Sequence, residues 1–79
     1  MKLDGKVGVV TGATKGIGYA IAEALVKAGA SVFVTARDQR AVSVAVDRLS
    51  EHGKAAGGDC DVRDEMQVKS MLADCERVF

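Results

Sequence analysis

The sequence predicts an α/β fold built on a short parallel sheet, and three observations predict it. Short β-branched runs alternate with segments that carry apolar residues at helical spacing, in the order β-α-β-α-β-α. The first two strand-like runs hold no charge, as strands covered on both faces do. A glycine-rich loop stands where the first strand hands over to the first helix. Right-handed crossovers then give a three-stranded sheet of order 3-2-1, with helices on both faces.

Each element has its own signal. Val7-Gly8-Val9-Val10-Thr11 is a β-branched run that ends at Gly12, and it reads as the first strand. Ile17, Ala20, Ile21, Ala24, Leu25 and Ala28 follow at spacings of three and one, which predicts one apolar stripe on the first helix. Gly29 stands where a helix C-terminus wants a left-handed residue. Ser31 to Thr35, with Val32, Phe33 and Val34, is the second strand. Asp38 then caps a second helix, whose inner face is Val42, Ala45, Val46 and Leu49, and His52-Gly53 ends it. Lys54 to Asp59 is the third strand, although Ala55-Ala56-Gly57-Gly58 has poor strand propensity. Asp64-Glu65-Met66-Gln67 resembles a capping box. It opens a third helix with Val68, Met71, Leu72, Cys75 and Phe79 on one face.

Composition bounds the function. The chain has 79 residues, with 11 Lys+Arg against 11 Asp+Glu. Zero net charge argues against nucleic acid or an anionic membrane as partner, since both call for a basic excess. The N-terminus, Met1-Lys2-Leu3-Asp4-Gly5-Lys6, lacks the apolar stretch of a signal peptide. No uncharged run approaches the roughly 18 residues of a membrane span. Cys60 and Cys75 form no CxxC, so the expectation is reduced thiols in a cytoplasmic protein. With His52 they make three scattered residues without the paired spacing of a zinc site, and no metal is expected. A domain of this length sits at the margin of independent stability. The expectation is a piece of a larger fold, or a domain held by a ligand or partner.

The loop Thr11-Gly12-Ala13-Thr14-Lys15-Gly16-Ile17-Gly18 carries the chemistry. Phosphates bind at helix N-termini, where N–H groups lack partners and the dipole is positive. Gly12 allows the tight exit from the strand, Gly16 the close approach of phosphates, and Gly18 the close packing of the helix. Thr14, Lys15 and Ile17 complete the candidate cofactor loop. Lys15 precedes Gly16, so the loop lacks the GK[ST] ending of a P-loop. Its GxxxGxG spacing also differs from GxGxxG.

This loop resembles the TGxxxGxG motif of short-chain dehydrogenases/reductases. The lead-in Leu3-Asp4-Gly5-Lys6-Val7 and the later Asp59-Cys60-Asp61-Val62-Arg63-Asp64 resemble the classical branch of that family, and the likeness covers the whole chain. The resemblance implies the N-terminal part of a single Rossmann domain over residues 1–79, incomplete by itself. It also implies that the Asp61 side chain and the Val62 backbone hold an adenine. The alternative for Asp61 is a solvated turn carboxylate.

The end of strand 2 distinguishes NAD from NADP. The resemblance places the NAD-selecting acid at Ala36, where it is absent. Arg37 follows, with a planar fork suited to phosphate. Lys15 aligns with the family's other basic site for the 2′-phosphate. These two cations favour NADP. Against this, Asp38 lies about 20 residues beyond Gly18, where a ribose-binding acid is also found. Arg40 reads as a solvated charge.

The family's catalytic Tyr-x-x-x-Lys pair and upstream Ser have no match here. Tyr19 is the single tyrosine, and Glu23 stands four residues on. The Asn-Asn-Ala-Gly motif is also absent. The resemblance implies a homo-oligomeric parent enzyme that passes hydride between NADPH and a ketone or secondary alcohol, with this chain inactive alone. Two other readings stand beside it. One is a stand-alone NAD(P)-binding or sensing module that works through a partner chain. The other is a fold for S-adenosylmethionine, a ligand with no pyrophosphate and no need of two cations.

Overall fold

The computed structural model describes residues 3–61 and 63–79. The elements are β1 (Val7–Thr11), α1 (Gly16–Lys27), β2 (Ser31–Ala36), α2 (Gln39–Leu49), β3 (Ala55–Asp59) and α3 (Glu65–Val78). The sheet is parallel, with β2 between β1 and β3, which is the expected order. Val9 lies opposite Phe33, and Phe33 opposite Ala56.

The alternation along β2 divides the core in two. Val32 and Val34 point to one face, where they meet Ala22 and Val26 of α1 and Val42 and Leu49 of α2. Phe33 points to the other face, where it meets Cys60 and then Met71 and Cys75 of α3. Both faces of the central strand are therefore covered. Cys60 and Cys75 act there as small apolar side chains; burial raises the Cys75 thiol pKa, helped by Glu76. His52 instead approaches Glu23 of α1 at 3.9 Å.

The helix ends follow the sequence signals. Gly29 has φ +101°, and the Gly29 and Ala30 N–H groups donate to the Val26 and Leu25 carbonyls, a complete Schellman motif. Asp38 accepts from the Arg40 and Ala41 N–H groups, and Asp64 from those of Met66 and Gln67. The Gln67 side chain departs from the simple capping box. Its Oε1 accepts the Asp61 N–H at 2.8 Å, while its Nε2 donates to Asp64 at 3.3 Å.

Two expectations need correction. The predicted stripe of α1 is not its buried face: Ile17 is 80% exposed and Ile21 49%, while Ala20 and Ala24 are exposed as well. Ala22 and Val26 are buried in its place, with Tyr19 and, from the predicted stripe, Leu25 packed against them. The helix is apolar almost all round, so its periodicity marks two faces, and the sheet covers the other one. On α3, Met71 and Cys75 are buried as expected, but Leu72 is 48% and Phe79 37% exposed. A smaller difference is that β3 starts at Ala55; Lys54 still accepts the Val32 N–H.

Candidate functional site

The strands of a parallel sheet all end on one edge, and the connections that leave them define a cleft there. Here two hydrogen bonds fix its walls. The Gly12 N–H donates to the Thr35 carbonyl at 2.8 Å, which ties the start of the glycine loop to β2. The Cys60 N–H donates to the Ala36 carbonyl at 2.8 Å, which ties the exit of β3 to the same strand. The resulting cleft has a volume of about 450 Å³. Thr11 and Gly12 line one side, Thr35 to Arg37 the middle, and Cys60, Asp61 and Arg63 the other side.

The glycine loop adopts the geometry its composition implies. Gly12 and Gly16 have φ of +64° and +63°, which side chains with a Cβ disfavour. Gly18 has a different reason: a Cβ there would lie 2.5 Å from the Gly12 carbonyl oxygen. Helix α1 thus begins directly over the backbone of the loop.

The three helix N-termini are not alike. Asp38 and Asp64 cap α2 and α3. The N-cap of α1 is Lys15, which makes no side-chain capping bond, and no acidic residue lies in the first turn. The positive end of α1 therefore keeps its charge toward solvent beside the glycine loop.

The charged groups of the cleft are Arg37, Asp61 and Arg63. Arg63 holds Asp61 through three bonds. Its backbone N–H and Nε both donate to Oδ1, and its Nη2 donates to Oδ2, each at 3.0 Å. This Arg63 contact is the main cause that lowers the Asp61 pKa to about 2, and Arg37 adds to it from a greater distance. Thr35 is fully buried in the cleft wall, and its hydroxyl has no hydrogen-bond partner among the described residues.

Of the residues read from the sequence, Gly12, Arg37 and Asp61 meet in this cleft. Thr14, Lys15, Gly16, Ile17 and Gly18 form the loop and first turn of α1 that follow Gly12, outside the cleft wall. Val62 lies outside the described residues. Tyr19 packs between α1 and α2 with the Arg48 guanidinium 4.9 Å from its ring centre. The sequence reading missed Arg63 and Thr35. An arginine in a turn and a threonine in a strand carry no signal of their own in the sequence.

Comparisons with known proteins agree with this architecture. A family model described as short chain dehydrogenase matches residues 6–79. The 3-oxoacyl-[acyl-carrier-protein] reductase of Vibrio harveyi is 48% identical over 72 residues, which are 91% of this chain and 29% of that protein. The dehydrogenase/reductase SDR family member 4 of Caenorhabditis elegans is 50% identical over 58 residues, 71% of this chain and 22% of that one. The structure of L-sorbose reductase from Gluconobacter frateurii, complexed with NADPH and L-sorbose, is similar with a TM-score of 0.92 at 32% identity; the match covers 98% of this chain and 30% of that one. The Pseudomonas aeruginosa RhlG/NADP complex gives a TM-score of 0.84 at 36% identity, over 91% of this chain and 30% of the other. The chain spans between 22% and 32% of the length of these curated relatives and others like them.

Proposed function

Because this chain belongs to the short-chain dehydrogenase/reductase family, we propose that it is the NADP(H)-binding portion of such an enzyme, the N-terminal part of a single Rossmann domain. The observation that carries the reading is the cleft that joins Gly12, at the head of the glycine loop, to Arg37 and Asp61. Its volume, about 450 Å³, suits one end of a dinucleotide.

The residues present fit that group. The N-terminus of α1 has no side-chain cap, so its first-turn N–H groups are available to a diphosphate. Gly16 keeps that approach open, since nothing lies within 4 Å of a Cβ built there. The Arg37 fork takes a ribose 2′-phosphate. Lys15, exposed at the head of the helix, supplies a second cation on the phosphate side. Asp61 accepts from the adenine amine. Asp38 is engaged elsewhere, since its Oδ1 already caps α2 at 2.9 and 3.4 Å.

When bound, NADPH supplies a hydride. In the complete enzyme that chemistry would serve the reduction of a ketone or the oxidation of a secondary alcohol. The neighbours support the reductase direction, since two of them are named as reductases and one was solved with NADPH. This chain contributes the adenosine and diphosphate end of the site. The remainder of the fold or a complementary chain contributes the rest, within a homo-oligomer.

A circular-dichroism melt with NADP and with NAD tests the reading. A ligand at a hundredfold excess over its Kd stabilises by about 2.7 kcal/mol. The expected result is a higher melting temperature with NADP and a smaller rise with NAD. Arg37→Ala is expected to remove that difference while leaving the NAD response in place. A rise with NAD alone transfers selection to Asp38, and no rise with either cofactor removes the dinucleotide reading.

A further inference from the structure

Asp61 and Arg63 stand in the cleft as a joined pair, and the way they are joined has a chemical consequence. A carboxylate oxygen accepts two hydrogen bonds well. Oδ1 already accepts two, from the Arg63 backbone N–H and from Nε. Oδ2 accepts one, from Nη2. The pair therefore presents a single open acceptor site, on Oδ2. The turn that carries it is braced independently: the Asp61 N–H donates to Gln67 Oε1 at 2.8 Å, and the Asp61 carbonyl accepts the Asp64 N–H at 2.9 Å. These bonds hold the carboxylate and its backbone in one orientation.

Resting on the reading of the cleft as a dinucleotide site, we infer that Arg63 is a positioning residue that makes Asp61 a selector of the purine base. One fixed acceptor accepts one N–H of an exocyclic amine. The same acceptor repels an exocyclic oxygen, which brings a second lone pair and no proton. The base chosen is a 6-aminopurine over a 6-oxopurine. A flexible carboxylate would discriminate less, because it can rotate away from an oxygen or let water in between. The Arg63 guanidinium is 73% exposed at its side chain, so it acts through the carboxylate and not through the core.

The test measures binding of NADPH and of its hypoxanthine analogue, nicotinamide hypoxanthine dinucleotide phosphate, by isothermal titration of the chain. The two ligands share every phosphate and ribose and differ at the purine. A hydrogen bond to a charged acceptor corresponds to a preference of roughly tenfold or more for the adenine form. Arg63→Gln is expected to shrink that ratio severalfold while the affinity for the hypoxanthine form holds. Arg63→Lys keeps the charge but loses the fork, and is expected to shrink it too. Asp61→Asn is expected to abolish the preference. A circular-dichroism spectrum of each variant reports that the fold is kept.

If Arg63→Gln weakens both ligands equally, Arg63 acts on phosphate or on the fold, and the inference fails while the dinucleotide site stands. A wild-type preference for the hypoxanthine form means that the free guanidinium N–H groups face the base, and it also overturns the inference. Binding of neither ligand to the wild-type chain overturns both readings together.

Discussion

At the scale of single residues the informative group is Asp61, whose carboxylate meets only positive neighbours in the cleft, Arg63 in contact and Arg37 further off. Its pKa falls from the ordinary 3.8 to about 2. A carboxylate depressed on folding adds stability above its unfolded pKa, and that contribution is lost as pH falls through the folded one. The pair is therefore expected to stay intact at pH 4 and to dissolve as pH approaches 2. A carbon-detected NMR titration of the Asp61 carboxyl checks this, and Arg63→Gln is expected to return the midpoint toward 3.8. A wild-type midpoint near 4 would show that the pair does not form in solution. The same residues show how much of the site was legible beforehand. Gly12 was read from its place between a strand and a helix, and Arg37 and Asp61 with the help of the family resemblance; a parallel sheet gathers its strand ends on one edge, which is why the three meet. Arg63 was not readable, since an arginine in a turn looks like any solvated charge until the carboxylate it grips is placed. Thr35 was read only as strand, because a period-two pattern reports burial and says nothing of an unsatisfied hydroxyl.

At the scale of elements, β3 and α1 show opposite relations between pattern and packing. Strand β3 has the composition of a loop, Ala-Ala-Gly-Gly-Asp, and is a strand all the same. Its glycine is demanded by its neighbours: a Cβ on Gly57 would lie 2.6 Å from the Val34 carbonyl oxygen and 2.9 Å from methyl groups of Val34 and Val42. Helix α2 presses so closely on this part of the sheet that propensity yields to packing. Helix α1 errs the other way. Its sequence carries two apolar faces, and period alone could not tell which one the sheet takes. Caps and turns were legible because a few adjacent residues determine them, as with Gly29, Asp38 and Asp64. Packing faces depend on what lies across the core. A pair of substitutions tests the account of β3. Gly57→Ala is expected to destabilise by about 1–3 kcal/mol, because a carbonyl oxygen cannot move aside as a side-chain tip can. In a domain this small that lowers the melting temperature by about 4–8 °C per kcal/mol. Gly58→Ala meets nothing nearer than Phe33 at 3.9 Å, and is expected to hold or raise it. Equal losses at both positions would mean that β3 rejects side chains for a reason other than contact with Val34 and Val42.

At the scale of the whole molecule, coverage is uneven across the sheet. β2 is sealed on both faces, yet β1 is an edge strand with Val7 50% and Val9 40% exposed on the face that α3 covers over β2 and β3. On the other side of the sheet, α1 turns Ile17 and Ile21 to solvent. An edge strand offers unpaired N–H and C=O groups, and exposed branched side chains beside it favour association through that edge. The chain has no net charge to oppose this. The chain is therefore expected to associate as its concentration rises, and to do so through β1 and α1. Sedimentation velocity over a range of concentrations measures it. The variant Val9→Lys with Ile21→Lys places two cations on the two exposed surfaces. Lysine suits a helix at least as well as isoleucine, and it is a common guard on edge strands. Val9 is 40% and Ile21 49% exposed, and a lysine stem can lie along the apolar surface while its charge reaches water, so the thermal stability is expected to change little. The sedimentation coefficient of the variant is expected to stay at the monomer value over concentrations where the unmodified chain's rises. If both proteins associate alike, the contact lies elsewhere, and Leu72 and Val78 on α3, 48% and 53% exposed, become the surfaces to change next.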